Sequence, residues 1–372
     1  MRLVVVGGGV IGLSIAWRAA QRGADVTVVD PEPTRGASWV AGGMLAPTAE
    51  AQPGEEALLR LGLASAERWP AFVDELEAVS GTDAGMSRAG TLVVARDADE
   101  AADLGVLGAL QERLGLAAER LTSREARRLE PALAPSVRGA LWLPDDHQVD
   151  NRLLLAALVS AAGRAGVVYD RTVATTAGRH QVVLADGRGV EADEVVVATG
   201  AHALPLVGDD GAATCLPVRP VKGQILRVRA TPGAVLPHRT VRGEGIYVIP
   251  RPHGEIAIGA TSEERGFDTT VTAGAVLDLL RDAWELLPGL AEAELVEAIA
   301  GLRPGTPDNA PLLGRPRSGG PLVATGHHRN GVLLAPITAD LLVGLALDGA
   351  VAGPDDELLA PLSPDRFAAV PA

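Results

Sequence analysis

The stretch "VVVGGGVIGLS" limits the possible folds of this chain more than any other. Gly7, Gly9 and Gly12 form G-x-G-x-x-G directly after the apolar run Leu3 to Val6, at the head of a helically spaced segment that ends at Gly23. The first glycine permits a tight turn, the second lets backbone approach a pyrophosphate, and the third lets helix pack on strand. Phosphates would then meet free N–H groups at the helix N-terminus, where Val10 and Ile11 begin the first turn. "DVTVVD" follows as a second strand and ends at Asp30, eighteen residues after Gly12, where a carboxylate can accept hydrogen bonds from a ribose diol. Strand, helix, strand and acid in this order predict a Rossmann-like unit holding a dinucleotide. NAD and FAD both remain open. "EVVVATG", a further strand ending at Thr199 and Gly200, suits closure of such a sheet but does not separate the two.

At 372 residues the chain exceeds one hydrophobic core, so two domains, or one with a large insertion, are expected. Helices are predicted over 57–79 and 97–116, from the cap Asp150 through 166, over 273–287, and from near Ala335. Strands are predicted at 90–95 and 139–144. "VVYD", "QVVLADG" and "EVVVATG" are expected to rebuild one sheet near residue 200, with a hairpin at Asp186-Gly187. From 222 to 259, "KGQILRVRA", "GIYVIPR" and "EIAIGA" alternate like antiparallel strands, which predicts a second, mainly antiparallel domain. The chain returns through the strand "PLVATG" to a turn at "HHRNG", and "APTAEAQPGEE" is a loop.

Charge bears on partners. Lys plus Arg number 33 against 47 Asp plus Glu, a net charge of −14 that opposes nucleic acid and anionic membrane surfaces. The single cysteine, Cys215, rules out an intramolecular disulfide and a cysteine-cluster metal site, and fits a reducing compartment. The N-terminus reads as a strand rather than a signal peptide, and "GVLLAPITADLLVGLALDG" is broken by Pro336, Thr338 and Asp340. A cytoplasmic protein without a membrane span is expected. His327 and His328 lack companions at metal-ligand spacing, so no metal site is expected.

Eight stretches, in order, resemble the glycine oxidase branch of the D-amino-acid oxidase family of flavoproteins. They are "VVVGGGVIGLSIAWRAAQRG", "GASWVAGGMLAP", "DDHQVDNRLLLAAL", "ATGAH", "PVRPVKGQ", "YVIPR", "GLRPGTPDNAPLLG" and "TGHHRNGVLLAP", spread from residue 4 to residue 336. The resemblance implies FAD rather than NAD. Non-covalent binding is implied too, since Cys215 lies far from the segment that carries flavin in covalently flavinylated relatives. It implies a fold of α/β and α+β class: a Rossmann-like FAD-binding domain assembled from the discontinuous segments 1–80, 147–215 and 305–372, and a substrate domain of 81–146 and 216–304 with an antiparallel sheet and helices. The implied activity is oxidative deamination of glycine, and of sarcosine or small D-amino acids, by hydride transfer from Cα to flavin N5. The products are an imine and, with oxygen, hydrogen peroxide. The implied role is supply of dehydroglycine for the thiazole ring of thiamine, and the implied assembly is a homo-oligomer, with a tetramer as the family's suggestion. Two rivals stay open: a flavin dehydrogenase with a non-oxygen acceptor, and a flavin-binding protein without turnover.

The resemblance also carries over residue by residue. Arg303 matches the arginine that receives the substrate α-carboxylate within reach of the cofactor, a task suited to a planar, bidentate guanidinium. Tyr247 matches the tyrosine whose hydroxyl touches the same carboxylate, and Arg329 matches an arginine that binds substrate or holds its loop. Ser38, Ala41, Gly42, Gly43 and Met44 fall where backbone passes close to the flat ring, and Val173 falls where backbone meets the adenine. His328, Arg329, Asn330, Gly331, Val332 and Leu333 fall in the segment that covers the isoalloxazine. There an Asn330-Gly331 turn and the helix start near Ala335 would aim N–H groups at the ring's pyrimidine edge. No side-chain base is expected, because Arg303 disfavours an ammonium beside it. The chain departs from the pattern at His328, where relatives carry tyrosine, at His202, where tryptophan is expected, and at Glu244-Gly245, where some relatives have histidine.

Overall fold

The computed structural model describes residues 1–367 except 203, 232 and 352. Leu3 to Val6 have no polar side to offer solvent, and the strand they dominate, Arg2–Val6, is buried from Leu3 onward in the middle of a six-stranded sheet. It pairs in parallel with Asp25–Val29 on one side and Glu194–Val197 on the other. Val168–Asp170 and Leu322–Thr325 extend the parallel array, and Leu312–Gly314 closes one edge antiparallel. The helices Val10–Gln21, Glu56–Ser80, Asn151–Arg164 and Ala335–Asp348 supply one core with this sheet. Trp17 and Trp69 meet Phe72 edge-on there, with ring centroids 5.2 and 5.5 Å apart. Asp150 caps its helix as expected, accepting from the Arg152 and Leu153 N–H groups.

The expected single sheet near residue 200 is corrected. The strands within "VVYD" and "EVVVATG" join the parallel sheet, whereas Gln181–Leu184 pairs with Gly189–Glu191 in a separate five-stranded sheet. Val182 and Leu184 of that hairpin pack face-on against Val4, Val29 and Val197, which seals the other side of the parallel strands. The turn at Asp186-Gly187 is present, with Gly187 at φ 85°.

The second large unit is an eight-stranded sheet. Its order is Glu294–Gly305, Arg219–Arg229, Glu255–Gly259, Ile246–Pro250, Thr240–Gly243, Thr91–Ala95, Gly139–Leu143 and Glu119–Thr122. Leu226, Val248, Ile256 and Ile258 on one face bury against Leu279 and Leu286 of the helix Ala273–Leu286. The edge strand Glu294–Gly305 was not anticipated, because "ELVEAIAGLRPG" lacks strand alternation. Its conformation comes from pairing with Arg219–Arg229 along its length, which sets Arg303 opposite Val221. The two large sheets are stitched at the head of the Asn151–Arg164 helix. Arg227 donates to Asn151 Oδ1 at 3.0 Å, Asn151 Nδ2 donates to the Ser38 and Trp39 carbonyls at 2.8 Å, and Arg152 pairs with Glu297 at 2.5 Å. Among the described residues no helix is long and apolar enough to cross a membrane.

Candidate active site

The glycine motif folds as its spacing requires. Gly7 lies at φ 111°, and a side-chain carbon on it would sit 2.3 Å from the Ala198 carbonyl oxygen; on Gly12 it would sit 1.9 Å from that of Gly7. Asp30 ends its strand beside this turn, its carboxylate accepting from the Gly8 N–H at 2.6 Å and the Glu32 N–H at 2.8 Å. Ser38 Oγ accepts from the Val10 N–H at 3.0 Å. The N–H groups of Gly9, Ile11 and Gly12 have no protein acceptor among the described residues, which fits an anionic group at the helix start. Thr199 donates to the His202 carbonyl at 2.7 Å, and Gly200 accepts from Thr325 Oγ1 at 2.8 Å, which ties the segment beside Gly7 to the last parallel strand. Val173 is 51% exposed, with its carbonyl held by the Ala185 N–H, so it is not the core valine a strand would make it.

The loop from Ala41 to Met44 runs into the cleft between the two large sheets. Gly43 lies at φ 73° against the Val149 carbonyl, and Gly42 lies against Tyr247 and Ile249. Met44 packs with Val40, Ile225 and Tyr247. Behind the loop stands Arg251, a residue the sequence did not flag. Its guanidinium donates to the Val149 carbonyl at 2.7 Å, to Gln148 Oε1 at 3.0 Å and to the Gly42 carbonyl. Burial lowers it to about 10, which leaves it cationic at neutral pH.

The "HHRNG" segment makes its turn in helical form. His328–Asn330 form a single helical turn, with His328 at φ 46°, and Gly331 continues at φ −58°. The N–H groups of Gly331, Val332 and Leu333 have no protein acceptor among the described residues, although Val332 and Leu333 are buried. Buried donors of this kind call for an acceptor, and a flavin's carbonyl edge is one that fits. The Leu333 carbonyl accepts from Ser65 Oγ and Trp69 Nε1, at 2.6 and 2.8 Å, which fixes the segment from the helix side. His327 is buried against Thr338 Oγ1 at 3.1 Å, and burial pushes it down to about 3. Burial, followed by Arg303 and Arg329, pushes His328 to about 4. Both imidazoles are neutral near pH 7.

Arg242 and Arg329 meet on a carboxylate that the sequence did not single out, Glu50, whose charge bears also on Arg303 and Tyr247. The Arg303 guanidinium lies over Gly223 and donates to the Thr261 carbonyl at 3.0 Å. Tyr247 stands opposite Gly259 on one neighbouring strand and Arg242 on the other. One Glu50 oxygen lies 2.6 Å from Arg242 Nη1, and the other accepts from Arg329. Burial raises Glu50, but Arg242 and Arg329 outweigh it and hold the carboxyl below its ordinary range. Burial raises the Tyr247 hydroxyl, which keeps it a proton donor. Glu50, Arg242 and Arg251 carry no local signal, because each owes its place to contacts made far along the chain.

Residues 2–345 match the family described as DAO, FAD dependent oxidoreductase. A glycine oxidase of Geobacillus kaustophilus is 37% identical over 351 residues, covering 92% of each chain. The crystal structure of glycine oxidase from that organism superposes with a TM-score of 0.88 at 36% identity, covering 98% of this chain and 99% of that one. The bifunctional protein ThiO/ThiG of Synechocystis sp. is 36% identical across 98% of this chain, which spans only 54% of that relative. With these matches and a glycine cradle that suits a dinucleotide, the chain belongs to the FAD dependent oxidoreductase family, and its cofactor is FAD.

Proposed function

We propose that the chain oxidises glycine, and through the same geometry sarcosine or small D-amino acids, to the imine with release of hydrogen peroxide. The observation that carries this is the placing of Arg303 and Tyr247 on one face of the eight-stranded sheet, with Tyr247 against Gly42. Arg303 is anchored through one amino group on Thr261, so the rest of its fork is available to a carboxylate, and Tyr247 adds a neutral hydroxyl donor. FAD, when bound, supplies the acceptor for the hydride leaving the substrate Cα and passes the electrons to oxygen. The residues of the chain bind and orient the substrate. No histidine here serves as a base, since His327 and His328 are held far below neutral pH by burial, and the arginines disfavour the ammonium form of the amine. Residues 1–80, 147–215 and 305–372 hold the cofactor in this reading, and 81–146 and 216–304 hold the substrate.

Similarity to glycine oxidases supports the choice of substrate. Similarity to ThiO/ThiG supports a role in providing the imine for thiamine synthesis. The test is anaerobic addition of glycine to the purified yellow protein. Loss of the oxidised flavin band, with peroxide formed once air is admitted, is the expected result. A band that persists with glycine overturns the assignment, and bleaching without peroxide points instead to a dehydrogenase with another acceptor.

A further inference from the structure

We propose that Lys222 and Glu263, on the sheet face turned away from the cleft, are positioning residues that aim the Arg303 guanidinium through the Thr261 carbonyl. This rests on the reading of Arg303 as partner of the substrate carboxylate. Arg303 pairs with Val221 across the strands Glu294–Gly305 and Arg219–Arg229, so those two side chains share the cleft face. Lys222, the next residue, leaves from the opposite face and is 1% exposed. Glu263 exchanges both backbone hydrogen bonds with Lys222 at 2.9 Å and so presents its carboxylate on that same far face. There the Lys222 ammonium meets Asp268 at 3.1 Å and Glu263 at 3.8 Å.

Gln224, equally buried, clasps both ends of the loop that carries these carboxylates. Its Nε2 donates to Glu263 Oε1 at 2.7 Å, its backbone N–H donates to Thr261 Oγ1 at 2.9 Å, and its Oε1 accepts from the Thr272 N–H at 2.8 Å. Thr261 joins the two faces of the sheet. Its hydroxyl donates to Glu263 Oε1 at 2.6 Å, while its carbonyl accepts from Arg303 Nη1 at 3.0 Å.

The Arg303 guanidinium lies across Gly223, where a side-chain carbon would sit 2.4 Å from either amino nitrogen. Among the described residues its hydrogen bonds go only to the Thr261 carbonyl and, at 3.5 Å, to that of Lys222. Both acceptors therefore belong to the polar cluster behind the sheet, and that cluster sets the direction of the fork. Stability does not account for the buried ammonium, because its desolvation offsets most of the attraction to carboxylates. What the cluster fixes is geometry. Without the charge of Lys222, Glu263 and Asp268 repel each other and the Thr261 carbonyl loses its backing. A fork turned out of line keeps its charge but gives up one of the two parallel bonds of a bidentate grip.

Lys222→Met, Glu263→Ala and the isosteric Thr261→Val test this against Thr261→Ser, which keeps the hydroxyl. Glycolate is titrated into each holoprotein, following the flavin spectrum, and glycine kinetics are measured at matched flavin content. The first three variants are expected to raise the glycolate Kd and the glycine KM together by about 3- to 10-fold, the scale of one hydrogen bond, with kcat within about twofold of wild type and FAD retained. Thr261→Ser should stay near wild type. An unchanged KM in Glu263→Ala and Thr261→Val, or a rise matched by lost flavin or by an equal fall in kcat, overturns the inference and leaves the carboxylate role of Arg303 intact. Should Lys222→Met fail to yield holoprotein, Glu263→Ala and Thr261→Val decide. If Arg303→Ala itself leaves glycolate binding unchanged, the reading of Arg303 and this inference fall together.

Discussion

A carbon added to Gly42 would sit 3.0 Å from Tyr247 Cε2 and 3.1 Å from its hydroxyl oxygen, so the Gly42 loop and the tyrosine proposed to touch substrate share one contact surface. Gly42→Ala must move one against the other. The expected effect is a several-fold rise in the KM for glycine with flavin retained. Gly43→Ala is harsher, because φ is 73° and the new carbon would sit 2.1 Å from the Val149 carbonyl oxygen. It should cost more than about 1 kcal/mol and lower the flavin-to-protein ratio of the purified enzyme, which the visible spectrum measures.

Removing the Arg303 fork should weaken substrate binding and spare the cofactor. A charge-assisted carboxylate contact contributes on the order of 1.5 to 3 kcal/mol, so Arg303→Ala should raise the KM for glycine roughly 10- to 150-fold. Arg303→Lys should recover little, because an ammonium cannot reproduce the planar fork. Steady-state kinetics on variants matched for flavin content decide the point. An unchanged KM would remove Arg303 from the substrate site.

Arg251 offers a test of stability rather than of turnover. Arg251→Met leaves the Gly42 and Val149 carbonyls and the Gln148 side chain short of a buried donor. The loss should be on the order of 3 kcal/mol, visible as a lower urea midpoint in the apoprotein and as weaker FAD retention.

Asp146 gives the pH dependence a sign. Burial raises its carboxyl from 3.8 to about 6 despite the Thr48 and Ala49 N–H groups it accepts from. An acid whose folded value exceeds its unfolded one contributes stability fully below the unfolded value, and the contribution disappears as pH rises through the folded one. Wild-type protein should therefore lose this contribution between about pH 4 and pH 6. Asp146→Asn, which does not ionise, should gain in Tm relative to wild type as pH climbs through that window. Parallel Tm curves for the two proteins would contradict the assignment.

What was legible in the sequence was local. The motif at Gly7, Gly9 and Gly12, the capped helix at Asp150 and the alternation in Ile246–Pro250 each follow from neighbours within a few residues, and each element formed where expected. Glu294–Gly305 was invisible because its first residues are exposed, and its Ala- and Glu-rich residues favour a strand only when Arg219–Arg229 lies alongside. Glu50 and Arg242 read singly as solvated charges. They acquire meaning only from an approach across 192 positions of chain, which no window of sequence contains.

The order in which the parallel sheet is threaded has a consequence for truncated products. Leu322–Thr325 lies between Glu194–Val197 and Leu312–Gly314, and the helix Ala335–Asp348 seats on the helix that the glycine turn begins. The glycine turn and the segment proposed to cover the flavin lie some three hundred residues apart, so the cradle is complete only once both ends of that span have folded together. A product truncated between them would keep the turn without its cover and is expected to be colourless.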